Sequence, residues 1–288
     1  MPDKVGQLLV YLKEAVQVIL RNPVTLYPLA TIIFVHLLVL EILYFANRFP
    51  LIKFFGPIIE RRWGETYLHY PFNFEVIPRL FQYFKIPLYI FVVNFLIAIT
   101  IKILTEVNSH RRMTLRNAVK AVAPQYIDIL VFSLFSAVII YALYSFYSFV
   151  MLKTWVMKGE GVLLLFWKEV ILGGQPYLNL LISVFVTAAF AYVLPIIVID
   201  RQKILPALRL NFRKLLRSWM FILCVVLVPT PFYVPILVFK NSITSIANST
   251  YPEIWFWVLI FSVLVTTFID AVVYTVVTLD YLLERESS

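Results

Sequence analysis

"LPALRLNFRKLLRSWMFILCVVLVPTPFYVPILVF", residues 205–239, changes character twice. Its first half carries Arg209, Arg213, Lys214 and Arg217; its second half is apolar and is then interrupted by Pro229, Pro231 and Pro235. In the first half Leu205, Leu208, Phe212 and Leu215 recur at spacings of three and four. Arg209, Arg213 and Arg217 recur every four residues on another face. That pattern predicts a helix with an apolar stripe and a basic stripe, lying in the headgroup plane of a membrane. The apolar half predicts a span that leaves from it. Three prolines within seven residues remove three backbone donors and push the preceding residues out of helical geometry. The span is therefore expected to be broken, and broken helices survive in lipid only where protein or water satisfies the freed carbonyls.

The rest of the chain fits this reading. Of 288 residues 61% are hydrophobic and 14% are charged, where a soluble domain is about a quarter charged. The apolar runs are continuous rather than alternating, which favours helices over barrel strands. Six spans are expected, at 24–46, 83–105, 124–149, 177–199, 218–239 and 254–279. The predicted fold is all-α: one transmembrane domain over 1–288 with six spans and three amphipathic interfacial helices. The single cysteine, Cys224, allows no intramolecular disulfide. The N-terminal stretch is interrupted by Lys13, Glu14, Gln17 and Arg21 and does not read as a signal peptide.

Lys and Arg are unevenly shared between the two sides. The N-terminal segment, the connection around Arg111, Arg112, Arg116 and Lys120, and the connection with Arg201 to Arg217 are the richer ones. The bias is moderate and predicts an inner-membrane protein with both termini cytoplasmic. Trp63, Tyr67, Tyr70, Trp155, Trp167, Tyr251, Trp255 and Trp257 crowd the other side as an aromatic belt.

The basic connections resemble one another. "LKEAVQVIL" from Leu12, "LRNAVKAVA" from Leu115 and "ILPALRLNF" from Ile204 align on Ala15, Ala118 and Ala207. Each precedes a span, a loop and a second span, so repeat-like units are expected at 4–105, 111–199 and 203–280. Arg112, Arg116 and Lys120 form a second basic stripe. These stripes set topology and anchor the bundle, and the sharper expectation is a site for anionic lipid headgroups. No base-reading platform accompanies them, so a nucleic-acid partner is not expected.

Ionisable groups inside spans are functional candidates. Asp270, in "TTFIDAVVYT", is the foremost. His36 and Asn94 lie at comparable depth, and the three are expected to form an interior polar site for a proton, an ion or a polar solute. The alternative is that Asp270 pairs with His36 or Tyr274 and fixes packing. Asp128 reads as an ion-pair partner of the basic helix before it. His36, His69 and His110 lie far apart in sequence and form no metal cluster, and no catalytic motif or cofactor site is present.

"ILRNPVTLYPLA" at 19–30 and "LPIIVIDRQKILPALRLNFRKLLRSWMFIL" at 194–223 resemble segments of a group of bacterial six-helix membrane proteins. The group includes the membrane domain associated with some glycerophosphodiester phosphodiesterases, and related families of unknown function. The resemblance implies a prokaryotic inner-membrane protein. It carries over no catalytic residues, because the phosphodiesterase domain has no counterpart here. The expected function is non-enzymatic handling of lipid or a small solute, by transport or in a lipid-binding cavity. A structural subunit of a larger membrane complex or a homo-oligomer is the alternative, and an intramembrane enzyme of lipid metabolism comes third. The orientation has a direct check. In a Cys224→Ser background, Lys13→Cys is expected to react with an impermeant maleimide only after the cytoplasmic face is opened, and Arg61→Cys without opening it.

Overall fold

Apolar runs of this length satisfy their backbone in lipid as helices. The computed structural model is helical in every regular element among the residues it describes, which are 6–156, 168, 170–172, 174–247 and 251–286. Lys4, Lys158, Gly159, Gly161, Trp167 and Gly173, which enter the charge, belt or glycine patterns of the sequence, lie outside the described residues.

The chain begins with α1 (Leu8–Arg21), α2 (Pro23–Tyr44), α3 (Ile52–Trp63) and α4 (Asn73–Leu88). A π-helical turn at Tyr89–Val93 joins α4 to α5 (Asn94–Asn108). Next come α6 (Leu115–Val122), α7 (Tyr126–Val156), α8 (Gln175–Ala189) and α9 (Val193–Asp200). The chain closes with α10 (Ile204–Leu227), α11 (Val234–Ala247) and α12 (Ile254–Glu286). Six helical stretches are long and apolar enough to cross a membrane: Pro23–Tyr44, Asn73–Asn108, Leu115–Trp155, Gln175–Asp200, Ile204–Lys240 and Ile254–Arg285. The protein is thus a multi-pass, all-helical membrane protein. Six crossings put both chain ends at one end of the bundle, here the proximal end.

The helix that enters each odd-numbered crossing is interrupted at a residue whose chemistry explains the break. Asn22 is extended, as a residue before proline prefers. Pro23 then opens α2, and the Thr25 hydroxyl donates to the Asn22 carbonyl at 2.6 Å. Pro124 sits in a 3-10 turn, Ala123–Gln125, between α6 and α7. In α10 the interruption is a kink at Ser218 (φ −123°, ψ 19°). Before each break one small residue is wholly buried: Ala15, Ala118 and Ala207 are each 0% exposed.

Helix α12 is the axis of the bundle. It packs against α1, α2, α4, α5, α9, α10 and α11. α6 packs on α5, where Ala118 and Val122 are buried and Arg116 and Lys120 face outward. α8 lies between α7 and α10. The prolines of 229–235 do break the helix there. α10 stops at Leu227, a 3-10 turn covers Thr230–Tyr233, and α11 begins at Val234. Asp128 meets a different basic helix from the one expected. It accepts the backbone N–H of Ile204 at 3.2 Å, in the first turn of α10, where exposed N–H groups favour a carboxylate.

The close seat of α6 on α5 gives a stability prediction. Ala118→Leu has no space to enter and is expected to cost about 1–3 kcal/mol by overpacking. Thermal unfolding in detergent checks this, with exposed Asn117→Leu as the near-neutral control.

Candidate functional site

Two large apolar cores fill the bundle, one above the other, and a small third cluster of Ile236 and Val258 lies beside the proline break. The larger includes Ile32 of α2, Val93 and Ile97 near the π turn, and Ala271 of α12. The distal core includes Leu40 of α2, Phe81 of α4, and Leu259 and Val263 of α12. Between them the same helices carry polar residues: His36 on α2, Lys85 on α4, and Thr266, Thr267 and Asp270 on α12. The bundle is therefore divided by a polar layer, and two of its helices lose regular geometry beside it.

The first irregularity is the π turn at Tyr89–Val93. Pro87 cannot donate to the carbonyl four residues earlier, and the helix widens just after it. Single π turns inside α-helices recur at functional sites. Here the widened turn carries Tyr89, whose hydroxyl donates to Oδ2 of Asp270 at 2.8 Å. Lys85, one turn before Tyr89, is in electrostatic range of Asp270, and Tyr274 is another electrostatic neighbour of the same carboxylate. Asp270 is thus bonded to a phenol on the π turn, Tyr89 rather than His36 or Tyr274, with the Lys85 ammonium nearby but beyond ion-pair distance.

His36 is buried in the same layer. Its Nδ1 donates to the Ile32 carbonyl at 2.8 Å. A carbonyl can only accept, so Nδ1 carries a proton. Nε2 is buried without a hydrogen-bond partner. The ring meets Phe81 edge to face, and Lys85 is in electrostatic range. Lys85 is therefore an electrostatic neighbour of both His36 and Asp270. Asn94 does not join them. It donates to Ser133 of α7 at 2.8 Å, and Ser133 donates in turn to the Ile129 carbonyl at 2.7 Å.

The second irregularity is the proline break. Pro229, Pro231 and Pro235 shape the turn that carries Tyr233 toward α12, with its hydroxyl 3.3 Å from Ser262 Oγ. Lys240 of α11 completes a triangle. Its Nζ donates to Tyr233 at 3.2 Å and to Ser262 at 3.0 Å. Lys85 lies inside the candidate span Asn73–Asn108, and Lys240 is the last residue of the candidate span Ile204–Lys240, one residue past the span expected from the sequence.

A second network holds the proximal end. The Tyr192 hydroxyl donates to Oδ2 of Asp280 at 2.5 Å, and the Tyr192 backbone N–H donates to Asn211 Oδ1 at 3.1 Å. Tyr281 donates to Asp200, which also pairs with Arg285. Lys214 pairs with Glu284 at 3.3 Å and lies over the Tyr281 ring, 4.2 Å from its centroid. Ser218 at the kink donates to Glu284 at 3.3 Å. Lys214 is thus turned inward. Arg209, Arg213 and Arg217 on the same helix remain exposed, as do Arg112, Arg116 and Lys120.

Tyr89, Tyr192, Tyr233 and Tyr281 are polar partners that sequence reasoning passed over. Pro87 was a signal for Tyr89. For the proximal set the signal was Asp280, Glu284 and Arg285 within one turn or two of an apolar run. No group of three His, Cys, Asp or Glu able to hold a metal occurs among the described residues. Comparison with family models, curated proteins and solved structures finds no match to this chain.

The Tyr89–Asp270 bond can be tested alone. Tyr89→Phe leaves an interior carboxylate without its donor and is expected to lower stability in detergent by about 1–3 kcal/mol. Asp270→Asn in the Tyr89→Phe background is expected to recover part of that loss, because an amide is neutral.

Proposed function

We propose that this protein is a non-enzymatic membrane carrier, which handles a small solute or a lipid headgroup at the polar layer between its two apolar cores. The observation that supports this reading is the bond from Tyr89, on the π turn of Tyr89–Val93, to Asp270, in the layer that also holds Lys85 and His36. The proline break before Val234 meets α12 two turns further along, at Ser262. Charged groups inside a bilayer are costly, and irregular helices at their level expose backbone groups able to bind a solute.

In the same reading the chain consists of three units, each an amphipathic helix followed by a crossing, a loop and another crossing. Burial of Ala15, Ala118 and Ala207 at corresponding places supports it. The exposed arginine stripe of α10 and the basic face of α6 contact anionic headgroups, at about 1 kcal/mol per charge. The termini face the cytoplasm of a prokaryotic cell, as the charge bias and the resemblance to six-helix bacterial membrane proteins imply.

An accessory role in a larger complex draws on a different observation. Only 17% of the apolar window of Leu115–Trp155 is buried within the bundle, against 67% for Gln175–Asp200. Helix α7 thus offers its length to lipid or to another chain.

The carrier reading predicts a loss of transport with a specific residue. In proteoliposomes, Asp270→Asn is expected to cut solute uptake at least tenfold while the protein still reconstitutes as a folded monomer or oligomer. Unchanged uptake removes Asp270 from the transport path.

A further inference from the structure

The distal half of the polar layer carries more positive than negative charge. Lys85 enters it from α4 and Lys240 from α11, and each is in electrostatic range of the other. The carboxylate in range of Lys85 is Asp270, and Asp270 is already engaged by the Tyr89 hydroxyl. Lys240 spends its hydrogen bonds on Tyr233 and Ser262, which orient the ammonium but carry no charge to balance it. Among the described residues neither lysine has a carboxylate within ion-pair distance. Like charges brought together in a low-dielectric bundle repel strongly, and an interior ammonium without a counter-ion is among the least tolerated groups in a membrane.

The geometry around the lysines suits a ligand rather than a packing role. Tyr233 OH, Ser262 Oγ and Lys240 Nζ lie 3.0–3.3 Å from one another, so three polar groups converge on one place. Tyr233 is in electrostatic range of Lys85 as well, which ties the triangle to the second cation. A hydroxyl and an ammonium that already share protons can turn those donors toward an incoming acceptor. The cations come from two helices, one just before the π turn and one just after the proline break. A ligand held by both would bridge the irregular segments across α12.

We propose that Lys85 and Lys240, with Tyr233 and Ser262, form a binding site for an oxyanion group, a carboxylate or a phosphate. The proposal names the ligand class of the polar layer and so rests on the carrier reading above. The missing counter-charge is what selects an anion, and the hydroxyls supply the donors that an oxyanion accepts. The group comes either from a free solute or from an anionic lipid headgroup.

Thermal unfolding of the full chain in membranes tests this. The protein is reconstituted into phosphatidylcholine nanodiscs, with and without phosphatidylglycerol, and inorganic phosphate or acetate is titrated. A ligand that binds the folded state raises the midpoint with saturating dependence on its concentration. The expected result is a rise of several degrees that Lys85→Met and Lys240→Met each abolish and Lys240→Arg keeps. A rise with phosphate or acetate in phosphatidylcholine identifies a free solute, and a rise only with phosphatidylglycerol identifies a headgroup. Equal responses in the wild type and both methionine variants, or no response in either membrane, overturn the proposal. Failure here is separable from failure of the carrier reading. Asp270-dependent uptake of a neutral or cationic solute without anion stabilisation leaves the carrier and removes the anion site. Anion stabilisation without uptake does the reverse.

Discussion

The Tyr89 hydroxyl gives its hydrogen to Asp270, and much of the bundle is arranged so that it can. A carboxylate inside hydrocarbon is tolerable only with partners, and those partners must arrive on other helices. The π turn brings Tyr89 into place, and Lys85 follows one turn earlier on the same helix. The apolar residues then sort around this demand. They close into a core on each side of the polar groups instead of one continuous interior. The proline break between α10 and α11 brings Tyr233 and Lys240 to α12 at Ser262, two turns from Asp270 on its distal side. Two different chemical devices, a π turn and a proline-rich turn, thereby bring polar groups to one helix.

The crossings were legible in the sequence because hydrophobic length is a local property, and each of the six candidate stretches overlaps one expected span, the first ending at Tyr44 rather than at residue 46. The break at Pro229–Pro235 was legible for the same reason, since proline acts on its own backbone. Asp270 and His36 stood out as polar residues in apolar runs. Their partners did not. Lys85 and Lys240 lie close enough to the ends of apolar runs to resemble loop cations, and only packing turns them inward. Tyr89 was hidden by composition, for an aromatic residue in a span reads as lipid-facing or core. Asn94 lies at the depth expected but finds Ser133 first, which depends on where α7 sits and on nothing local to Asn94.

The proximal network illustrates the same limit. Lys214 adjoins the Arg209, Arg213 and Arg217 stripe in sequence, yet it faces Glu284 while those arginines face outward. The kink at Ser218 accompanies this turn and gives its hydroxyl to the same carboxylate. Asp200, at the end of α9, collects Tyr281 and Arg285. Buried polar groups of this kind stabilise only when every member is satisfied, and here phenols and cations from α9, α10 and α12 share the acidic groups.

Helix α12 runs unbroken over 33 residues, a rod about 50 Å long at 1.5 Å per residue. Its midpoint holds Asp270, and its last turns hold the basic half of α10 through Glu284. The polar layer and the basic half of α10 are therefore tied to one continuous helix, roughly 20 Å apart along it. A displacement of either along that axis is carried by the other.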